Sequence, residues 1–331
     1  MWITELRCTE EQIHNYALFE IDGLMKRGEK SLADFPGMPI PDCSIFENSH
    51  NRLIVEELDY DVDNLKTVHN HLYKGLNNGQ RHVYDLILDS INNQSGTPFF
   101  VYGHGGIGKT FLWSTIMAKL RSEGKIVLAV DISKIATLLL SGGRTTHSRF
   151  QIPLDISEES TCYIKKGTQL AKLLVQTTLI IWDEAPMANK YCFEALNKTL
   201  KDILSKKYQS NVDKTFGGLT VALGGDFRQI LPVIPKRKKH DIIQAFLSSS
   251  SLWKHVTVFT LIENMRLKTN LVNPMKLDNL KAFDKWLLNI REGRDVAEDE
   301  SYIQIPKDLK IDQHASHEET IMNAIFPDLS A

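Results

Sequence analysis

A chain of 331 residues with 42% hydrophobic and 24% charged residues has an ordinary globular composition, with room for one large domain or two small ones. Its net charge of −2 excludes a global field that would advertise a nucleic-acid partner, so any such surface must be local. The four cysteines, Cys8, Cys43, Cys162 and Cys192, show no C-x-x-C pairing, which argues against a zinc site or a disulfide framework. No apolar run approaches the ~20 residues of a membrane span, and the first residues lack a signal-peptide pattern. The expectation is a soluble, intracellular protein with free thiols.

In chain order, residues 9–27 read as an amphipathic helix: Thr9 and Gln12 have capping-box spacing, and Ile13, Ala17, Ile21, Leu24 and Met25 share a face. The run Pro36-Gly37-Met38-Pro39-Ile40-Pro41 then breaks regular structure. Residues 50–75 carry mixed helical signals, so residues 1–75 are expected to form a helical extension and linker. From Leu76 the pattern sharpens. Val83, Leu86, Ile87 and Ile91 line one helix face, and five short apolar runs follow: 98–102, 126–130, 179–182, 219–223 and 256–260. Apolar residues on both faces suit parallel strands covered by helices on each side. Helices fit at 189–204 and 240–247. This alternation predicts an α/β domain over 76–268, a doubly wound, mostly parallel sheet of about five strands. Leu280, Phe283, Trp286, Leu287 and Ile290 predict one more helix ending near Gly293, and the polar tail from Arg294 is expected to be poorly ordered.

The chemistry is carried by a few stretches of this pattern. Gly103-His104-Gly105-Gly106-Ile107-Gly108-Lys109-Thr110 follows the first strand and opens a helix, the context a phosphate loop needs. Backbone N–H groups and the helix dipole would cradle a nucleotide's phosphates. Lys109 would reach the β- and γ-phosphates, and the Thr110 hydroxyl would ligate Mg²⁺. Leu179-Ile180-Ile181-Trp182 delivers Asp183 and Glu184 at a strand's C-terminal end; Asp183 can hold the metal through water, and Glu184 can deprotonate an attacking water. The fourth run leads into Gly224-Gly225-Asp226-Phe227-Arg228-Gln229, where Gln229 is placed to feel a γ-phosphate. Arg266, after the fifth, could stabilise charge in the transition state.

Five blocks together resemble the petite-integration-frequency (Pif-type) ATP-dependent DNA helicases, in particular plant transposon-type versions: Leu76-Asn77-Asn78-Gly79-Gln80, GHGGIGKT, the run from Gly142 to Phe150, IWDEAPM, and GGDFRQILPVIP with the later NMRL. The resemblance implies a RecA-like, superfamily 1 motor that uses ATP and Mg²⁺ and moves 5′ to 3′ along single-stranded DNA. It implies that Gln80 reads the adenine, Gln229 senses the γ-phosphate, Arg266 is an arginine finger, and Thr145, His147 and Ser148 lie near the DNA strand. It also implies DNA repair, recombination or telomere work and a nuclear location, with mitochondria as a second address. Arg144 or Arg149 would add charge to the DNA block, and Phe150 reads as core rather than a base-stacking platform. Lys236-Arg237-Lys238-Lys239 reads first as a solvated loop, with a DNA-backbone contact or a nuclear address as the alternatives.

Two departures stand out. Lys134 occupies a position in the segment after the second strand where the family shows glycine. The residues after 268 also lack the βα alternation of a second motor domain, which needs on the order of 100 residues. The expectation is a first motor domain with a truncated connection, slow in turnover and unable to separate strands, the alternatives being a non-catalytic remnant that binds nucleotide or single-stranded DNA and a P-loop ATPase independent of DNA.

Overall fold

A computed structural model describes residues 30–41, 51–133, 139–205, 213–229, 238–265, 274–294 and 316–325, together with scattered positions elsewhere. Polar residues start most of its helices. Asn51 caps α1 (Arg52–Leu58) by accepting from the Leu53 amide, and Asp61 caps α2 (Val62–Gly75) by accepting from Asn64. In α3 (Asn78–Asn92) the cap is reciprocal: Asn77 accepts from the Gln80 amide and the Gln80 side chain accepts from the Asn77 amide. β1 (Pro98–Tyr102), α4 (Lys109–Ser122), β2 (Ile126–Asp131) and the two-residue β3 (Arg144–Thr145) follow, then the short α5 (Thr146–Phe150) and α6 (Gln169–Gln176). The remaining elements are β4 (Thr177–Trp182), α7 (Lys190–Leu204), β5 (Thr220–Gly225), α8 (Lys239–Gln244), β6 (Thr257–Thr260), α9 (Pro274–Arg291) and α10 (His317–Ile325).

The strands form one six-stranded sheet in the order β3-β2-β4-β5-β1-β6, and every neighbouring pair is parallel. Side chains alternate across it. Leu128, Val130, Ile180 and Trp182 feed an apolar cluster on one side, while Val127, Ala129, Leu179 and Ile181 feed the other. α4 lies in the second cluster, with Leu112, Trp113, Ile116 and Leu120 buried. Because all the strands run the same way, their C-terminal ends share one edge of the sheet, where ligands sit in such folds. Later parts of the chain, β4 and β5, are laid between β2 and β1, so the loops after all four open side by side.

The five expected strands are present, within a residue or two of their predicted bounds, and the sixth is β3. The helices expected at 189–204 and 240–247 are α7 and α8, and the late helix is α9. Within the tail expected to be poorly ordered, the described residues include the helix α10. The N-terminal helix is corrected in its facing. Described residues there are helical, but Ile13 and Ile21 are exposed while Asn15 and Asp22 are buried. Asp22 accepts from the Ser31 hydroxyl and the Leu32 amide, a polar docking that the apolar stripe did not foretell. Lys134, Lys236 and Arg237 lie outside the described residues. Cys162 and Cys192 are free and buried, and burial pushes their thiols up to about 11 and about 12.

α1 and α2 are fastened to the sheet domain. α2 packs along α4. Glu57 of α1 is buried against two guanidiniums, Arg149 of α5 in a hydrogen-bonded pair and Arg121 of α4 at 4.0 Å. Arg121 also donates to the carbonyls of Ser141 and Val127 and lies over the Tyr60 ring.

Candidate active site

Between β1 and α4 the chain turns sharply. Gly108, the residue before α4, sits at φ 80, a left-handed conformation that favours glycine; a Cβ there would come within 2.5 Å of Gln80 Nε2. Ile107 is fully buried and pins the loop to the core, while Gly105 is exposed at its tip. Lys109 is buried, and its ammonium donates to the Gly103 carbonyl at 2.7 Å, curling back over the loop. Thr110 follows it, half-buried in the first turn of α4. Gln80 is fully buried, and its amide donates to the carbonyls of Ile107 and Gly108, both at 3.2 Å. With its oxygen committed to the α3 cap, this side chain holds the loop in shape. The segment after β6 lies over the same loop: Leu261 donates to Tyr102 O at 2.9 Å, and Met265 donates to Gly106 O at 2.9 Å. Arg266, the next residue, lies outside the described residues.

Facing this loop are carboxylates from three strand ends. Asp183 follows β4, is buried, and donates its amide to Val130 O of β2 at 2.9 Å. Burial raises its carboxyl above the usual range, with Lys109 and Trp113 pulling the other way. Glu184 adopts φ 45, a left-handed backbone conformation that costs a non-glycine residue energy and that clusters at functional sites. Burial raises its carboxyl too, opposed by Lys109 and reinforced by Asp183 and Asp226. Asp183 Oδ1, Glu184 Oε2 and Asp226 Oδ2 are all buried without a hydrogen-bond partner. The Asp183 and Glu184 oxygens, near the charge of buried Lys109, have unfilled capacity to accept a cation or proton, whereas Asp226 Oδ2 has the Arg291 guanidinium at 4.0 Å.

Two of these acids were not singled out from the sequence. Asp131 ends β2 and is pushed up to about 7, first by burial and further by Asp183 and Glu184. Asp226 follows β5 and is fully buried. The available signal was a repeated one, an aspartate closing an apolar strand at Asp131, Asp183 and Asp226 alike. Glycines at the end of β5 let the β4 loop come this close: a Cβ on Gly224 would stand 2.7 Å from Asp183 Oδ1 and 2.9 Å from Trp113 Cζ2. Gln229 is half-buried, its amide donating to Asp226 O at 3.1 Å in the turn that follows.

The block from Gly142 to Phe150 lies across β2 from the acids. Arg144 and Thr145 pair with Val130 and Asp131, and the Thr146 hydroxyl donates to Asp131 O at 3.0 Å. Thr145 and His147 are half-buried and Ser148 is exposed, so all three keep accessible surface. Burial lowers the His147 pKa, which leaves the imidazole neutral near pH 7. Phe150 is fully buried, as core. Arg149 is corrected: its charge is spent on Glu57 in the interior, and Arg144 pairs with Glu56 at 3.0 Å.

A parallel sheet flanked by helices, with a glycine loop opening α4 and acids at the adjoining strand ends, defines a RecA-like P-loop NTPase fold. The sequence profile of the PIF1-like helicases matches residues 75–301, and the chain belongs to that family. Among curated relatives, the ATP-dependent DNA helicase PIF1 of Candida albicans is 26% identical over 271 residues, covering 78% of this chain and 27% of the relative. The ATP-dependent DNA helicase Pif1 of Campylobacter jejuni is 27% identical over 221 residues, covering 64% and 44%. Among solved structures, two coordinating Pif1 helicases unwinding forked double-stranded DNA align with TM-score 0.52 and 25% identity, over 68% of this chain and 50% of theirs. Pif1 of a Bacteroides species in complex with ADP-AlF4 aligns with TM-score 0.51 at 24% identity, over 68% and 48%. The chain thus spans at most half the length of these relatives.

Proposed function

We propose that this chain binds Mg·ATP at the loop between β1 and α4, hydrolyses it, and engages single-stranded DNA along β3 and α5, as the ATPase portion of a superfamily 1, 5′-to-3′ DNA helicase. The observation that carries the reading is a buried Lys109 whose charge acts on Asp183 and Glu184, each of which keeps an oxygen without a hydrogen-bond partner. The loop amides and Lys109 would hold the phosphates, with Gln80 keeping the loop's shape and bordering the adenine. Glu184 has the raised proton affinity that a base needs to take a proton from an attacking water. Gln229 would contact the γ-phosphate, and Arg266 would neutralise charge developing on it.

Among the described residues no group of three or more His, Cys, Asp or Glu is arranged to hold a metal by itself. Mg²⁺ keeps several waters and takes one or two protein ligands plus phosphates. The orphaned Asp183 oxygen and the Thr110 hydroxyl fit that role, and the ion would supply charge neutralisation on the β- and γ-phosphates. On the DNA side, Thr145, Ser148 and neutral His147 would donate hydrogen bonds to phosphates, positioning the strand without reading its sequence. No helix among the described residues is long and apolar enough to cross a membrane. By resemblance to the family, the proposal includes a nuclear location, with mitochondria second, and work in DNA repair, recombination or telomere maintenance.

ATP hydrolysis with and without single-stranded oligonucleotide tests this. Wild type should turn over ATP faster with DNA. Lys109→Ala should abolish nucleotide binding, and Glu184→Gln should lose roughly 10²–10⁴-fold in kcat while still binding nucleotide. Hydrolysis that survives Lys109→Ala, or that ignores DNA, would defeat the proposal.

A further inference from the structure

We infer that Glu292 and Arg291, at the C-terminal end of α9, are positioning residues for the loop carrying Asp226 and Gln229, so that α9 responds to what fills the γ-phosphate end of the site. This rests on the nucleotide-binding reading above.

The loop after β5 is a tight turn organised by Asp226, whose Oδ1 accepts from the Arg228 amide at 3.0 Å and whose carbonyl accepts from Gln229. Its outward anchor is the Arg228 side chain. That guanidinium lies 5.5 Å from the Tyr102 ring centroid at the end of β1 and pairs with Glu292 at 2.8 Å. The Arg228 and Glu292 side chains are 28% and 16% exposed, so the pair is shielded from much of the solvent screening that weakens surface ion pairs. Asp226 Oδ2, fully buried without a hydrogen-bond partner, faces the Arg291 guanidinium at 4.0 Å.

An acid at a helix C-terminus works against the helix dipole, so Glu292 gains nothing from α9 itself. Its stabilisation comes from Arg228 and, at 2.7 Å, Arg294, while Gly293 at φ 67 turns the chain away. Asp226 therefore links the turn that holds Gln229 to Arg291 on α9. A shift of this turn at the phosphate end of the site reaches α9 through the Asp226 carboxylate and the Arg228–Glu292 ion pair. Conversely, α9 sets where Gln229 and Asp226 stand when ATP arrives.

Charge exchange separates positioning from simple bracing. Glu292→Arg and Arg228→Glu should each lower ATPase kcat roughly tenfold, with KM for ATP and affinity for a fluorescent ADP analogue changed less than twofold. Combining the two, which restores the pair in reverse, should recover most of the lost kcat. Glu292→Gln, which only removes the charge, serves where a reversal fails to fold. A second readout needs no turnover: in wild type, ATPγS should protect α9 amides from hydrogen exchange more than ADP does, and Glu292→Gln should erase that difference. Wild-type kcat in the single reversals, a folded double exchange without recovery, or α9 protection indifferent to the γ-phosphate would each overturn the inference. Lys109→Ala run in parallel identifies failure of the parent reading, because hydrolysis insensitive to that change marks the activity as belonging elsewhere.

Discussion

Glu57 shows how much one side chain can decide. It neutralises two buried arginines drawn from different helices, Arg121 and Arg149. Removing one member of such a group leaves uncompensated charge in the interior, so Glu57→Ala should cost roughly 3–5 kcal/mol in urea unfolding. Asp131 acts in the opposite sense. Its folded-state carboxyl sits at about 7, far above the value of an unfolded chain, about 3.9. Between those values the native state holds a proton that the unfolded state has released. Stability from this group is complete below pH ~4 and is lost as pH rises through 7. Asp131→Asn should therefore raise the Tm of the nucleotide-free protein at pH 8, and the gain should shrink towards zero near pH 4 in thermal scans.

The loops at the strand ends owe their proximity to glycine. Gly224→Ala would push against Asp183 and Trp113, and the cost, about 1–3 kcal/mol in unfolding, should come with weaker nucleotide binding because Asp183 must yield. Such elements were unequally readable beforehand. β1, β2, β4 and β5 declare themselves because burial on both faces demands continuous apolar runs, whereas β6, expected to be covered on both faces, is a largely exposed edge strand; the phosphate loop is legible because its glycines and lysine have few other uses. β3 was invisible: Arg144 and Thr145 are polar, only two residues long, and lie at the sheet edge, where pairing rather than burial defines the strand. α6 and the inward course of Arg149 escaped for a related reason, since both depend on partners distant in the chain. Asp131 and Asp226 became recognisable only when parallel pairing set β2, β4 and β5 abreast.

At the scale of the molecule, β2 lies hydrogen-bonded between β3 and β4, so the block holding Thr145 and the loop holding Glu184 are two strand spacings apart, about 10 Å. A strand paired on both sides does not shift alone, so under the proposed function a movement of one block would be felt at the other. Ligand binding should also register globally. A nucleotide present at about 100 times its Kd stabilises the native state by about 2.7 kcal/mol, a Tm rise that differential scanning should detect in wild type and miss in Lys109→Ala.

The seating of α1 has a practical consequence for anyone trimming the gene. A recombinant fragment begun at residue 75, where the family match starts, would discard Glu57 together with Ile54, which belongs to the main core. Arg121 and Arg149 would be left with no anion between them, and the product should accumulate as insoluble aggregate. A fragment begun at residue 51 keeps the Asn51 cap and its bond to Gln169 O, and should be recovered in the soluble fraction.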